Sequence, residues 1–159
     1  MNEQSVIQEF KDAGAMLSGH FVLSSGLHSP TYMQCARVLM DEARGARLCA
    51  ALAEKIRAWE QQSGTKIDVI VAPAMGGVVV GYEMGRQLAV DAMFCERVEG
   101  AFTLRRGFAV AEGQHVLIVE DVVTTGKSSM EAVACVQALG GKAVAVCSLI
   151  DRRGGNDVS

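Results

Sequence analysis

The chain has 159 residues, 50% of them hydrophobic and 21% charged, with a formal net charge of −3. That length suits one domain with a full core, and the composition excludes disorder as a global state. The mild acidity excludes a general electrostatic hold on nucleic acid or an anionic membrane, and no apolar run is long enough to suggest a spanning helix.

The N-terminus carries early acidic residues and no apolar stretch before a cleavage site, so it does not read as a signal peptide. Val6, Phe10, Ala13 and Leu17 recur at helical spacing and predict a helix over 4–17, stopped by Gly19. Residues 20–24 and 29–35, around Ser25-Gly26, predict strand, turn and strand. A long helix is expected over 41–62, with Leu48, Leu52, Ile56 and Trp59 as its buried stripe and Asp41 and Glu42 at its positive end. The run 67–72 is apolar and β-branched, as in strands covered on both faces. A Gly-rich turn, a helix over 77–89, a strand over 93–97 and a loop or short hairpin over 99–113 follow. Further buried strands at 115–119 and 143–150 flank a helix over 127–139 that ends at Gly140-Gly141. Strands alternating with helices imply an α/β fold with a central, mostly parallel sheet. Ligands bind such sheets beyond the carboxyl ends of the strands, here after Ala72, Val119 and Ile150.

The turn after 115–119 carries the most chemistry. It reads Glu120, Asp121, Val122, Val123, Thr124, Thr125, Gly126, Lys127, Ser128 and leads into a helix. A helix N-terminus supplies unpaired N–H groups and a positive dipole end, the hydroxyls add donors, and Gly126 allows close backbone approach. The segment therefore suits a phosphate group. Glu120 and Asp121 could hold the vicinal hydroxyls of a sugar or a hydrated Mg2+. Lys127 reads equally as a phosphate contact or a solvated first-turn residue. A Walker A loop is excluded, because the upstream glycine is missing. The turn Ala74, Met75, Gly76, Gly77 also suits an anion, with two glycines between a buried strand and a helix. His20, His28 and His115 show no triad or metal spacing. The five cysteines, Cys35, Cys49, Cys95, Cys135 and Cys147, show no metal spacing either and suggest free thiols in a reducing cytoplasm.

The stretch from Val116 to Ser128 resembles the signature by which type I phosphoribosyltransferases bind 5-phosphoribosyl-1-pyrophosphate (PRPP). Gly19 to Tyr32, with Phe21, Leu23, Ser25-Gly26 and Ser29-Pro30, is similar to the opening segment of members whose acceptor base is orotate. Ala72 to Gly77 resembles their pyrophosphate loop, and Leu149-Ile150-Asp151-Arg152 a late strand end. The resemblance implies one phosphoribosyltransferase domain over 1–159, with 1–35 as a small hood and 36–159 as the α/β core. It implies that Glu120 and Asp121 hold the ribose hydroxyls, that Thr124 to Ser128 wrap the 5-phosphate, and that Thr124 and Arg152 meet orotate. It further implies Mg2+ as cofactor without a dedicated protein cage, a cytoplasmic homodimer, and a mobile loop shared across its interface. Many relatives carry a lysine where Gly76 stands and a lysine and histidine in that loop; here Arg97, Arg105 and Arg106 are present instead, and Arg105 is taken as the catalytic one. A member using another base, or a non-catalytic regulator that binds RNA, are the other readings.

Overall fold

Helix α1 (Glu3–Asp12) begins where the Asn2 side chain accepts the Ser5 N–H at 2.9 Å, and it buries Phe10 completely. The structure is a computed structural model that describes residues 1–22, 26 and 28–153. It divides into two units, Met1–Leu48 and Cys49–Ser159. The division falls inside the long helix, not at residue 35.

In the first unit, α1 ends at Asp12, short of the predicted limit at 17. Gly14 takes a φ of +60°, and the Ala15 N–H returns to the Phe10 carbonyl at 2.9 Å. The chain then extends as β1 (Met16–Val22), which pairs antiparallel with β2 (His28–Met33). Leu17 therefore lies opposite Tyr32 in a ladder and not on the buried face of a helix. The expected turn at Ser25 lies outside the described residues. A short α2 (Cys35–Leu39) precedes α3 (Glu42–Ser63), where Asp41 accepts the Arg44 N–H at 2.9 Å, as its position predicts. Glu9 of α1 meets Arg44 and Arg47 at 3.0 Å each, and the Arg47 hydrogen bond holds its carboxyl below the usual range. Of the predicted stripe on α3, Leu48 and Ile56 are buried and Leu52 and Trp59 half-buried; Cys49 and Ala53 complete it.

The second unit is an α/β sandwich. Its strands are β3 (Val69–Pro73), β4 (Asp91–Val98), β5 (Ala101–Leu104), β6 (His115–Val123) and β7 (Lys142–Asp151), in the order β5-β4-β3-β6-β7. All neighbours are parallel except the β4–β5 hairpin. Helix α4 (Gly77–Leu88) links β3 to β4, and α5 (Lys127–Ala138) links β6 to β7. These two crossovers leave the sheet centre in opposite directions. The order therefore reverses between β3 and β6, and the crevice where such sheets bind ligands lies beyond their carboxyl ends.

Three glycines set how closely α4 approaches the sheet. A Cβ on Gly77 would lie 3.1 Å from the Val119 carbonyl, on Gly81 2.7 Å from Ala72 Cβ, and on Gly85 2.8 Å from Ala92 Cβ. No larger residue fits without moving the helix. Gly81→Ala is therefore expected to lower unfolding free energy by ~1–3 kcal/mol despite alanine's better helix propensity. Gly45→Ala in α3, whose nearest neighbour is Leu39 Cδ2 at 3.7 Å, should instead be neutral or stabilising by up to ~1 kcal/mol. Urea unfolding of both variants checks the contrast.

Candidate functional site at the sheet switch point

Two loops meet at the reversal. One leaves β3 and opens α4; the other leaves β6 and opens α5. In the first, the Ala74 N–H donates to the Cys95 carbonyl at 2.8 Å, the Ala74–Met75 peptide is cis, and the Met75 side chain is exposed. Gly76 caps α4 and Gly77 is buried against the sheet. In the second, Gly126 takes a φ of +78° at the cap of α5, and Thr125 Oγ1 accepts the Lys127 N–H at 3.3 Å. The remaining first-turn N–H groups of α5 have no partner within the helix. Two sets of backbone donors thus face the same crevice.

Strand β6 runs to Val123, four residues beyond the predicted end at 119. Pairing with β7 continues through Glu120 with Ser148, Val122 with Ile150 and Val123 with Asp151, which keeps the backbone extended. Glu120 and Asp121 therefore lie within the strand and not in a turn after it. Consecutive strand residues face opposite sides. Glu120, 8% exposed, accepts a short hydrogen bond from the Ser129 hydroxyl of α5. Asp121 lies against Gly76 at the start of α4 and accepts the Val122 N–H at 2.9 Å. Burial pushes both carboxyls up from their ordinary range, against the hydrogen bonds each accepts, and the Asp121 charge adds to the rise at Glu120.

Ser129 escapes the sequence reading, which stops at Ser128. A signal was present: 129, 132 and 136 share one helical face, and Ala132 and Val136 are buried, so a hydroxyl there requires a buried partner.

The end of β7 comes alongside the second loop. The Arg152 N–H donates to the Val123 carbonyl at 2.8 Å, which sets Arg152 next to Thr124 in the crevice region. Arg153 is held by Asp151 at 2.5 Å. A cavity of about 490 Å3 opens on the β7 side, lined by Thr125, Gly126, Ser129 and Asp151 among others. Neither Asp121 nor Gly76 lines it.

The three loop arginines differ in their engagements. Arg97 bonds Glu131 and the Gly100 carbonyl and stacks 4.2 Å over the Phe102 ring. Arg106 bonds Glu96 at 2.6 Å and lies 5.4 Å from the Phe94 ring centre. The Arg105 carbonyl accepts the Phe108 N–H at 2.9 Å, while its exposed side chain makes no hydrogen bond or ion pair among the described residues. Lys127 leans 3.9 Å from Glu131 and is otherwise exposed. His20 and His28 meet each other across the β1–β2 hairpin, and His115 bonds Asp68 and the Lys66 carbonyl at the start of β6.

A doubly wound sheet whose switch point presents an acid pair and two helix-opening glycine loops defines a binder of phosphorylated ligands. Residues 39–159 match the phosphoribosyl transferase domain, and the chain belongs to that family. A relative from Sphingopyxis alaskensis, named orotate phosphoribosyltransferase, is 53% identical over 158 residues, covering 99% of this chain and 79% of the relative. One of the same name from Methylorubrum populi is 49% identical over 98% of this chain and 78% of its own. Among solved structures, orotate phosphoribosyltransferase from Aeropyrum pernix superposes with a TM-score of 0.73 at 24% identity, over 93% of this chain and 82% of that one. Adenine phosphoribosyltransferase from Saccharomyces cerevisiae superposes with a TM-score of 0.69 at 20% identity, over 93% and 89%. The fold is therefore shared by enzymes named for different bases.

The raised carboxyls make the unliganded site costly to the fold at neutral pH. A carboxyl raised in the folded state contributes most stability while protonated, below its unfolded value. That contribution is lost as pH rises through the folded value. Asp121→Asn is therefore expected to melt a few degrees above wild type at neutral pH without ligand, the gap closing as pH falls through the raised value of Asp121. Thermal melts of both proteins from about pH 4, near the ordinary carboxyl value, up to about pH 8 check this sign.

Proposed function

We propose that the chain transfers the 5-phosphoribosyl group of PRPP to orotate, giving orotidine 5′-monophosphate and pyrophosphate, a step of pyrimidine synthesis. The observation that carries this is the pairing of the two loops at the switch point in a chain 53% identical, over nearly its full length, to a relative named for that reaction.

The roles follow from the chemistry of each position. Thr124 to Ser128 surround the 5-phosphate with hydroxyls and the N–H groups of α5. Asp121 accepts hydrogen bonds from the ribose hydroxyls, and Glu120, braced by Ser129, steadies the same strand end. In the Ala74 to Gly77 loop the Ala74 N–H is held by the Cys95 carbonyl, and the N–H groups from Met75 to Gly77 face the pyrophosphate. Thr124 and Arg152 meet orotate, the guanidinium pairing with its carboxylate. A ring nitrogen of orotate attacks the anomeric carbon as pyrophosphate leaves, and charge builds on the ribose as in an oxocarbenium ion. No protein nucleophile is needed. Holding the two reactants in line can supply up to ~7–11 kcal/mol in favourable cases.

Among the described residues, no three His, Cys, Asp or Glu side chains converge as a metal cage. Asp121 alone suits a water-mediated contact to Mg2+, which keeps waters and takes phosphates as ligands. Mg2+ would arrive on PRPP and offset diphosphate charge. Arg105, exposed and uncommitted, is the loop cation best able to reach a developing negative charge, and we place it in the site of a second copy within a homodimer. None of the five cysteines forms a disulfide, which suits a reducing cytoplasm.

Loss of orotate absorbance on adding PRPP and Mg2+, with adenine, hypoxanthine and uracil as controls, tests the activity. Turnover with a purine and none with orotate would replace this function with another base. Arg152→Ala should raise the orotate KM and cost ~2–4 kcal/mol in kcat/KM, with PRPP affinity nearly unchanged. Equal losses for both substrates would remove Arg152 from the orotate pocket. Mixing inactive Arg105→Ala with inactive Asp121→Asn subunits should restore part of the activity; a fully active monomer would reject the shared site.

A further inference from the structure

Gly76 has no conformational need to be glycine. Its φ of −58° and ψ of −38° are ordinary helical values, it caps a helix, and it is exposed. Alanine adopts such angles freely, although an N-cap by itself favours glycine. What a Cβ would meet there is a single group. The three nearest atoms all belong to Asp121: Oδ2 at 2.6 Å, Oδ1 at 2.8 Å and Cγ at 2.9 Å. Distances under 3.0 Å force something to move. The loop backbone is tied to β4 through Ala74, and Gly77 is wedged against the Val119 carbonyl, so the loop has little room to retreat. The Asp121 side chain is the part that would yield.

We propose that Gly76 is a positioning residue for Asp121: the missing side chain is the space in which the Asp121 carboxylate lies, between the two ligand loops. This rests on the proposed function in taking Asp121 as a PRPP contact. Any side chain at 76 begins with the same Cβ, so in this chain residue 76 and the Asp121 carboxylate compete for one space.

The experiment is a double-mutant cycle read by calorimetric binding of PRPP with Mg2+ and by melting temperature. Gly76→Ala should weaken PRPP binding roughly tenfold or more and lower the melting temperature slightly. In an Asp121→Ala background, where the conflict is absent, the same Gly76→Ala change should alter binding less than about twofold and lower the melting temperature less than it does in the wild-type background. Gly45→Ala, at a helix glycine whose Cβ would meet only Leu39 at 3.7 Å or more, should leave PRPP binding unchanged and stability equal or higher. The inference is overturned if Gly76→Ala binds PRPP as wild type does, or if it costs the same factor in both backgrounds. A wild-type chain that binds no PRPP would overturn the proposed function itself, and this inference with it.

Discussion

The site depends on how closely α4 lies on the sheet. Gly77, Gly81 and Gly85 let the helix backbone approach the ends of β3 and β4 to a distance no side chain at these positions would permit. That approach brings the loop that opens α4 over the carboxyl end of β6. Without it, Gly76 and Asp121 would not touch, and the two loops would be separate turns on neighbouring strands. A packing constraint with no chemistry of its own thus decides where the chemistry is.

The acid pair shows the cost of that arrangement. Glu120 and Asp121 extend a strand that is otherwise apolar, so both carboxyls are partly removed from water and raised. Ser129 offsets some of this at Glu120, and the Val122 N–H at Asp121. A ligand that brings hydroxyls or a cation to Asp121 would offset the rest. Burial thus leaves both carboxyls in surroundings that disfavour their charged form, the usual position of polar groups kept for function.

Much of the sheet was legible in the sequence because its strands are long β-branched runs that nothing but a two-sided burial explains. Val69 to Pro73 and Val116 to Val119 lie at the centre, as their composition requires. The segment that opens α5 stood out because acids, hydroxyls and glycine crowd into nine residues. Less was visible where tertiary pairing overrides local pattern. Leu17 fits a helical face by spacing, yet Gly14 ends the helix and the β2 partner claims the strand. Glu120 and Asp121 resemble a turn by composition, yet β7 holds them extended and sends them to opposite faces. The Gly76–Asp121 contact joins residues 45 positions apart and could not be read from either segment alone. Similarly, nothing in the spacing of Arg97, Arg105 and Arg106 says which is free; Glu131 and Glu96 decide it.

The fold cannot choose the acceptor base, since a yeast adenine phosphoribosyltransferase shares it almost as closely as an archaeal enzyme named for orotate. Under the proposed function, base choice falls to a few positions around Thr124 and Arg152 and the phosphoribosyl end to the switch point. The central claim is that the two loops there form one ligand site. Hydrogen exchange with and without PRPP and Mg2+ tests it most directly. The amides of 75–77 and 124–129 should gain protection together, at the same ligand concentration. Protection confined to one loop, or absent from both while PRPP is bound, would contradict the account.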